Sequence, residues 1–498
     1  MPSKPKDPQR RQCGPAHRLG LSLGLLLAVG CQAPPREGPP SIVLVSMDTL
    51  RRDRLGAYGN PDGLTPNLDR FATQAVLFED AWAVSNETLF SHAALFTSRY
   101  ATETGPIYDD YAMGDDAPTL AEVLGVYGYQ CAAAVAGGHL LEVFGLSRGF
   151  DSWQVGGSWA SLYHTVPQAS AWLDQRDRER PFLLFVHGYD THQRYLKPGP
   201  YGHAWADPAY EGPGDVATRE LLGTERVVDG WAFPAGVSPH MPTALRVRGS
   251  QQRMANHHRA QDPAVNASPM KPEDLAHIGQ VYDGAVGYAD AWFGLLMAEL
   301  DQRGVLDEAI VVVLSDHGEE LGEHGIYGHR YNLSDEALAV PLMMRLPDGM
   351  GAGRRVSGLV DLTDVMPTLL EAAGTEPPAG IRGRSLWSVL RGAAHEPREA
   401  VYAQSMFRAI SVRTTEGRLS FTGIGADSPW LVDMVRSAQV QQPAFEPSTS
   451  LAKPSQQALR GKLVAWAQGL RKPASTGVPA LTPEQEQVIR DQGYWRAQ

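Results

Sequence analysis

Short apolar runs alternate with longer amphipathic stretches along the chain from residue 41 to about residue 395. Runs of five or six aliphatic, often β-branched residues indicate strands that are buried on both faces, as in a parallel sheet. We predict five such strands, at residues 42–46, 130–135, 182–187, 309–314 and 342–346. Helical stretches lie between them, the longest over residues 276–303. The alternation predicts an α/β fold, with a mostly parallel central sheet and helices on both of its faces.

The pattern becomes shorter after a turn at residues 383–386 and a brief helix to residue 392. Three apolar segments, at residues 400–403, 409–413 and 419–422, predict a small antiparallel sheet. A helix predicted at residues 455–468 would cover it. We therefore place a main domain at residues 41–395 and a small C-terminal subdomain at residues 396–475. A tail helix within residues 476–498 starts at the helix-start signal Leu481-Thr482-Pro483-Glu484.

One long segment of the main domain, residues 198–275, departs from this pattern. It is rich in Pro, Gly, His and Arg and shows little periodicity. A loop of this length without structure is uncommon in a compact domain, so the segment is either a functional, partly ordered insertion or a variable surface excursion.

The N-terminus has the features of an export signal. Basic residues between positions 4 and 18 precede an apolar stretch at residues 19–30, which is too short to span a bilayer. Ala28-Val29-Gly30-Cys31 resembles a bacterial lipobox, and the alternative is an ordinary signal peptide with a chance cysteine. We predict a lipoprotein signal peptide at residues 1–30 and a Pro-rich tether at residues 31–40. The protein would then be exported to the cell envelope and anchored to a bacterial membrane through lipid on Cys31, at the outer membrane or facing the periplasm.

Composition narrows the class of protein. With 43% hydrophobic and 20% charged residues in 498, the chain is globular, and its net charge of −12 argues against a nucleic-acid partner. Of three cysteines, only Cys131 would remain unmodified after processing, inside an apolar run. We expect it to be a small buried hydrophobe, so the chain offers no disulfide framework and no cysteine metal site.

Polar side chains follow two of the predicted strands directly. Asp316 and His317 come after the strand at 309–314, and Asp48 comes just after the strand at 42–46. The carboxyl ends of parallel strands meet at one edge of a sheet, where ligands bind. Carboxylate oxygens with an imidazole nitrogen can hold a divalent metal, whereas the alternative is a pair of turns with solvated charges.

A third polar segment begins at Ser85. A helix starting near Ser91 would place Thr88 just before its N-terminus, where backbone amides and the helix dipole favour a bound anion. His92 lies four residues after Thr88 and would share its face of the helix. The alternative is a helix-capping or surface histidine.

These segments together resemble the sulfatase family of the alkaline phosphatase superfamily. The family signature has a nucleophile, any residue, then Pro-Ser-Arg and, after a variable run, Thr-Gly-Arg, and residues 88–99 fit it in register. Further segments fit in the right order: residues 48–59, 65–69, 187–192, 340–345, 361–370 and 383–386. The nucleophile position differs, because Thr88 stands where these enzymes carry the Cys or Ser that becomes formylglycine. Phe90 and His92 likewise replace the signature Pro and Arg, so a threonine nucleophile, similar to that of related phosphatases and phosphodiesterases, is implied.

The resemblance implies a metal-dependent hydrolase of sulfate or phosphate esters, with Thr88 as nucleophile. It implies one divalent cation, Ca, Mg or Mn with Zn also compatible, on Asp48, Thr88, Asp316 and His317. His92 would reach the anion, His192 would contact the ester or leaving group, and His329 stands where the family often has a substrate-binding lysine. The substrate would be a small or polymeric anionic ester. A threonine adduct favours phosphate over sulfate, and the alternatives are a phosphoglycerol- or phosphoethanolamine-type transferase and a non-catalytic binding lipoprotein.

Overall fold

The structure is a computed structural model of the chain. It describes residues 38–105, 112–157, 160–193, 195, 197–207, 209–210, 271–323, 327–329, 333–405, 409–421, 453–471 and 482–483. The predicted signal peptide, most of the tether, most of the insertion at 198–275 and nearly all of the tail helix lie outside the described residues.

Thirteen strands are present in the described residues. They are β1 (Ser41–Met47), β2 (Val76–Trp82), β3 (Gln130–Val135), β4 (Ser152–Val155), β5 (Phe182–Gly188), β6 (Ala309–Leu314), β7 (Glu320–Leu321), β8 (Tyr327–Gly328), β9 (Leu342–Arg345), β10 (Arg355–Asp361), β11 (Val401–Gln404), β12 (Ile410–Thr414) and β13 (Gly417–Phe421). Eight of them form the central sheet in the order β10-β2-β9-β6-β1-β5-β3-β4. Every neighbouring pair is parallel except those of β9, which runs antiparallel to both β2 and β6. The predicted mostly parallel sheet is thus confirmed, and all five predicted strands are in it.

Three strands of this sheet were not predicted, and each lacks a clean apolar pattern. β2 carries Glu79 and Asp80 at its centre, and β4 is a four-residue edge strand with no buried residue. β10 has exposed Arg355 and Ser357 and an irregular register before Leu359. Charge, shortness and irregular pairing all weaken the periodic signal on which strand prediction depends.

Ten α-helices lie in the described residues. They are α1 (Pro66–Ala72), α2 (Thr88–Thr97), α3 (Ala101–Thr104), α4 (Leu120–Val126), α5 (Leu162–Gln175), α6 (Pro272–Gln302), α7 (Asp335–Leu338), α8 (Val365–Ala372), α9 (Trp387–Leu390) and α10 (Lys453–Gln468). None of these helices has both the length and the apolar content that a membrane crossing requires.

Two hydrophobic cores sandwich the central sheet, because alternate strand residues point to opposite faces. Ile42 and Leu44 of β1 pack on the side of α2 and α8. Val43 and Val45 pack on the other side, where α5 and α6 lie. Cys131 is buried and free, as predicted. Helices pack on both faces of β1 and β6 at the centre of the sheet, so the side chains that follow these two strands have fixed positions.

The C-terminal strands β11, β12 and β13 form a separate antiparallel sheet, which confirms the predicted small sheet. Leu459 and Leu463 of α10 cover it and share a core with Ala94 of α2. Ser85 also forms a β-bridge with Gln404, the last residue of β11. This small sheet therefore supports the segment that leads into α2, while the domain boundaries at residues 395 and 475 stay predictions.

Candidate active site

Two adjacent strands of the central sheet bring three metal-binding side chains together. Asp48 follows the end of β1, and Asp316 and His317 follow the end of β6, its parallel neighbour. One ligand atom from each residue lies within 4.8 Å of the others, and all three residues are fully buried. Asp48 Oδ1 and Asp316 Oδ2 accept no hydrogen bond from the protein. Two orphaned buried carboxylate oxygens beside an imidazole nitrogen fit a divalent cation.

Burial makes these carboxylates costly to ionise without a counter-charge. It raises the pKa of Asp48 to about 6, although the nearby His317 and hydrogen bonds act in the opposite direction. Burial likewise raises the pKa of Asp316, and the charge of Asp48 adds to that increase. Two like charges removed from water and placed side by side are an arrangement that a bound cation would stabilise.

The turn after β1 is held in a strained conformation. Thr49 has a φ of +58°, which is unusual for a β-branched residue. Its backbone N–H donates to Asp316 Oδ1 at 3.3 Å, and its carbonyl accepts from the Tyr282 hydroxyl on α6 at 2.7 Å. Thr191 Oγ1 donates to the carbonyl of Asp48 at 2.5 Å. These contacts fix the Asp48 backbone, and the sequence reasoning assigned no role to Thr49, Thr191 or Tyr282.

Thr88 lies beside the metal-binding group. Its Oγ1 donates to Asp48 Oδ2 at 3.1 Å and lies 3.5 Å from His317 Nε2. Thr88 is the first residue of α2, so the prediction that the helix starts near Ser91 is wrong by three residues. The carbonyl of Glu87, in extended conformation, accepts from the Ser91 amide at 2.9 Å and makes Glu87 the N-cap. The Glu87 side chain makes no capping bond, and the positive end of the helix dipole lies at Thr88.

His92 is placed against the protein rather than toward an anion. Its Nδ1 lies 2.8 Å from the carbonyl of Thr88, and its Nε2 lies 3.1 Å from Ser46 Oγ on β1. Phe96 and Phe185 pack against its ring, and burial lowers the pKa of His92 to about 4, so the ring is neutral. Both ring nitrogens meet protein atoms, which leaves neither for the anion contact expected from its spacing. This geometry points to a positioning role, in which His92 ties the start of α2 to β1.

Three imidazoles form a row that extends from the metal-binding group. The ring of His329 lies 4.5 Å from that of His317 and 4.9 Å from that of His192, measured between centroids. His329 Nδ1 lies 2.9 Å from Oε1 of Glu319, a fully buried carboxyl whose pKa burial raises well above its usual value. The structure therefore brings both predicted histidines to the site, and their roles stay predictions. Glu319 stood in the motif that suggested the site, but its pairing was not foreseen.

His187 completes the surroundings of Asp48. It is the next-to-last residue of β5, the other parallel neighbour of β1, and its Nε2 lies 3.3 Å from Asp48 Oδ2. Burial lowers the pKa of His187 to about 4, so it is a neutral hydrogen-bonding partner at neutral pH. His187 belongs to the segment 187–192 that fits the family, but no role was predicted for it, and its contact with Asp48 now supplies one.

Comparison with known proteins gives consistent matches. The family model described as Sulfatase matches residues 40–375. The N-acetylglucosamine-6-O-sulfatase of Bacteroides thetaiotaomicron is 26% identical over 463 residues, covering 80% of this chain and 82% of that protein. The ulvan-active sulfatase of Formosa agariphila is 25% identical over 418 residues, covering 78% and 75%. The phosphonate monoester hydrolase of Agrobacterium radiobacter has a similar fold, with a TM-score of 0.60, 20% identity, and coverage of 77% of this chain and 87% of that one.

Proposed function

The chain belongs to the sulfatase family of ester hydrolases, and from that membership we propose a metal-dependent reaction on sulfate or phosphate esters with Thr88 as nucleophile. One observation carries this proposal. The Thr88 hydroxyl lies 3.1 Å from Asp48 Oδ2 and 3.5 Å from His317 Nε2, within the group formed by Asp48, Asp316 and His317. A hydroxyl in that position is next to the charge that would activate it.

Asp48, Asp316 and His317 would hold the cation, with the Thr88 oxygen beside them. A bound divalent cation supplies positive charge for the non-bridging oxygens of the substrate and lowers the pKa of the Thr88 hydroxyl. Two carboxylates favour Ca, Mg or Mn, and the His317 nitrogen keeps Zn compatible. His187 and Thr191 hold Asp48 in place, through its carboxylate and its backbone carbonyl respectively.

The proposed chemistry has two steps. In the first, the Thr88 oxygen bonds to the phosphorus or sulfur, the ester bond breaks, and the proton of the hydroxyl passes to Asp48 Oδ2, which already accepts it in a hydrogen bond. His192 and His329 would protonate or stabilise the leaving oxygen. In the second step, water bonds to the phosphorus or sulfur and gives a proton to His192 or His329, while the bond from the Thr88 oxygen to that atom breaks. Asp48 Oδ2 returns its proton to the Thr88 oxygen, and the free phosphate, phosphonate or sulfate leaves.

Threonine at the nucleophile position bears on which ester is cleaved. A threonine ester can be cleared only by attack at phosphorus or sulfur, because Thr88 has no second hydroxyl on the same carbon to expel the group. Phosphoryl transfer suits this route, and a phosphonate monoester hydrolase is among the proteins of similar fold. The curated relatives are named for sulfated substrates, so a carbohydrate sulfate is the second candidate. In either case the substrate is an anionic ester, small or polymeric.

The test is a substrate panel run with three variants. Aryl sulfate, phosphate monoester, phosphodiester and phosphonate are assayed with Mg, Mn, Ca or Zn, and enzyme quenched during turnover is analysed by peptide mass mapping. Thr88→Ala should lower turnover by roughly a thousandfold or more, and Thr88→Ser should keep part of it. Thr97→Ala is the matched control, because Thr97 is equally buried on α2 but donates only to the Ala93 carbonyl.

A phospho- or sulfo-adduct on the peptide containing Thr88 is expected during turnover of the preferred ester. Thr97→Ala should keep the activity of the unchanged protein. Turnover by Thr88→Ala close to that of the unchanged protein would contradict the nucleophile assignment and leave only the family membership standing.

A further inference from the structure

Two consecutive apolar side chains stand out on the surface of the described residues. Val126, the last residue of α4, is 85% exposed and Tyr127 is 55% exposed, more than any other large hydrophobic residue described. The turn that carries them is well held: the Tyr127 amide donates to the Leu124 carbonyl at 3.0 Å. Arg180 donates to the carbonyl of Gly128 at 2.9 Å. Because the turn is fixed and presents two adjacent apolar side chains to water, it is a candidate contact surface.

This turn lies where the N-terminal tether enters the domain. The hydroxyl of Tyr129 donates to the carbonyl of Pro40, the residue before β1, at 2.8 Å. Tyr129 also immediately precedes β3, which runs parallel to β5 and so to β1. Val126, Tyr127 and the tether entry therefore lie at the amino edge of the parallel strands. Asp48 follows the other end of β1, so the candidate active site lies at the opposite, carboxyl edge.

The length of the tether restricts which edge can approach a membrane. Six residues lie between Cys31 and Gly38, and the seven residue-to-residue steps span at most about 25 Å even when fully extended. β1 has seven residues and so runs about 23 Å from the amino to the carboxyl edge. To bring the carboxyl edge to a bilayer that holds Cys31, the tether would have to run back along the whole strand and the loops at both ends. If the amino edge of the sheet faces the bilayer instead, only a small part of the length of the tether is needed to reach it.

We infer that Val126 and Tyr127 contact the membrane into which the lipid on Cys31 is inserted, so that the candidate active site faces away from it. The inference rests on the lipid anchor predicted from the sequence and on the proposed function, which it deepens: the ester is delivered from the aqueous phase and is not a headgroup of the anchoring membrane. A tyrosine beside an aliphatic residue suits the headgroup region, and the tether gives even a weak contact a high effective concentration. The adjoining loop at 176–180 carries three arginines and two acidic residues, so it does not repel anionic lipid.

The test uses the full-length acylated protein in vesicles of phosphatidylethanolamine and phosphatidylglycerol that contain nitroxide-labelled lipid. A fluorophore is attached at Tyr127→Cys, and a matched label at Val155→Cys. Val155 is 37% exposed and is the last residue of β4, a parallel strand, so it marks the carboxyl edge. Cys131 is buried, and burial raises the pKa of its thiol to about 12, so it stays unlabelled.

Vesicle binding should quench the label at position 127 at least about twofold and leave the label at position 155 nearly unchanged, because interfacial groups enter the headgroup region. Equal quenching at both positions, or none at either while the protein floats with the vesicles, would overturn the inference. If the fluorophore at position 127 becomes shielded from solvent without vesicles, and more so at higher protein concentration, the surface belongs to a contact with a second copy. That result would also overturn the inference.

The anchor and the function are read out separately. Cys31→Ser should not float with vesicles, and if the unchanged protein does not float either, the anchor and this inference both fail. A Val126→Ser, Tyr127→Ser double variant should hydrolyse the soluble panel substrates at the unchanged rate, because both residues lie at the edge opposite Thr88. If the unchanged protein hydrolyses none of the panel esters, the proposed function is refuted, whereas the quenching result is unaffected.

Discussion

Replacing Asp48 with asparagine should make the metal-free protein more stable while it removes a proposed metal ligand. Burial raises the pKa of Asp48 from 3.8 to about 6, so ionising it in the folded protein costs roughly 3 kcal/mol at neutral pH. Asparagine has nearly the same shape, and its amide oxygen can accept the hydrogen bond that Thr88 Oγ1 donates. The substitution therefore removes the charge and keeps most of the packing.

The gain should depend on pH in a defined direction. The pKa of Asp48 is higher in the folded than in the unfolded protein, so ionisation destabilises the fold above about pH 6, and this cost vanishes as the pH falls below 3.8. Asp48→Asn should thus be more stable than the unchanged protein at about pH 7.5 and nearly equal to it at about pH 4. Added divalent cation should reverse the order at neutral pH, because it stabilises whichever protein binds it more tightly.

Thermal unfolding in chelator, and then with millimolar Mg, Mn, Ca or Zn, measures these differences. For a unit of about 460 residues, 3 kcal/mol corresponds to a rise in Tm of only about 3 °C, so matched scans are needed. Asp190→Asn is the control: burial raises the pKa of Asp190 to about 6 as well, but Asp190 accepts from the Leu162 amide, outside the metal-binding group. It should keep the full stabilisation by metal. A metal-free Asp48→Asn protein that is no more stable than the unchanged one at about pH 7.5 would refute the reasoning.

Two further predictions concern packing and protonation. Gly383→Ala should lower the free energy of unfolding by about 2 kcal/mol or more, since a Cβ there would lie 1.9 Å from the Thr363 carbonyl oxygen. Gly461 lies in the interior of α10, and a Cβ there would meet no heavy atom within 4 Å, so Gly461→Ala should raise the free energy of unfolding by about 0.5–1 kcal/mol. Urea unfolding measures both changes, and two changes of the same sign would contradict the prediction. His92 should stay neutral from about pH 8 down to about pH 5, because burial lowers its pKa to about 4, and ring nitrogen shifts measured by NMR that titrate within that interval would contradict its buried positioning role.

The strands that carry the candidate active site could be predicted because both of their faces are buried. Each residue of β1 and β6 is buried, so their sequences read as continuous apolar runs, and the first polar residues after them mark the strand ends. β2 could not be predicted in this way. Glu79 accepts from the Arg355 side chain at 2.7 Å and Asp80 accepts from the Gly358 amide at 3.3 Å, both on the neighbouring strand β10. Charges that are satisfied by residues some 278 positions away look, in the sequence, like charges in a loop.

The same limit applies within the site. Asp48, Asp316 and His317 could be foreseen from their positions at strand ends, because topology alone brings adjacent carboxyl ends together. The start of α2 could not, since serine is the stronger N-cap residue and Ser91 has the better local signal than Glu87. The bond from Tyr282 to the carbonyl of Thr49 joins residues 233 positions apart and has no local signature.

Several features that destabilise the metal-free protein lie close together, around the metal-binding group. Thr49 holds a strained φ of +58° beside Asp48, and Asp48 and Asp316 are fully buried carboxylates with raised pKa values. His92, whose pKa burial lowers, joins the first turn of α2 to β1 immediately beneath Thr88. Each would be selected against if the fold alone mattered, because strain, like charges and buried imidazole all oppose folding. Cation binding would relieve the largest of these costs, so metal affinity and folding stability should be coupled. Substitutions of the metal-binding carboxylates that stabilise the metal-free fold should therefore impair ester hydrolysis.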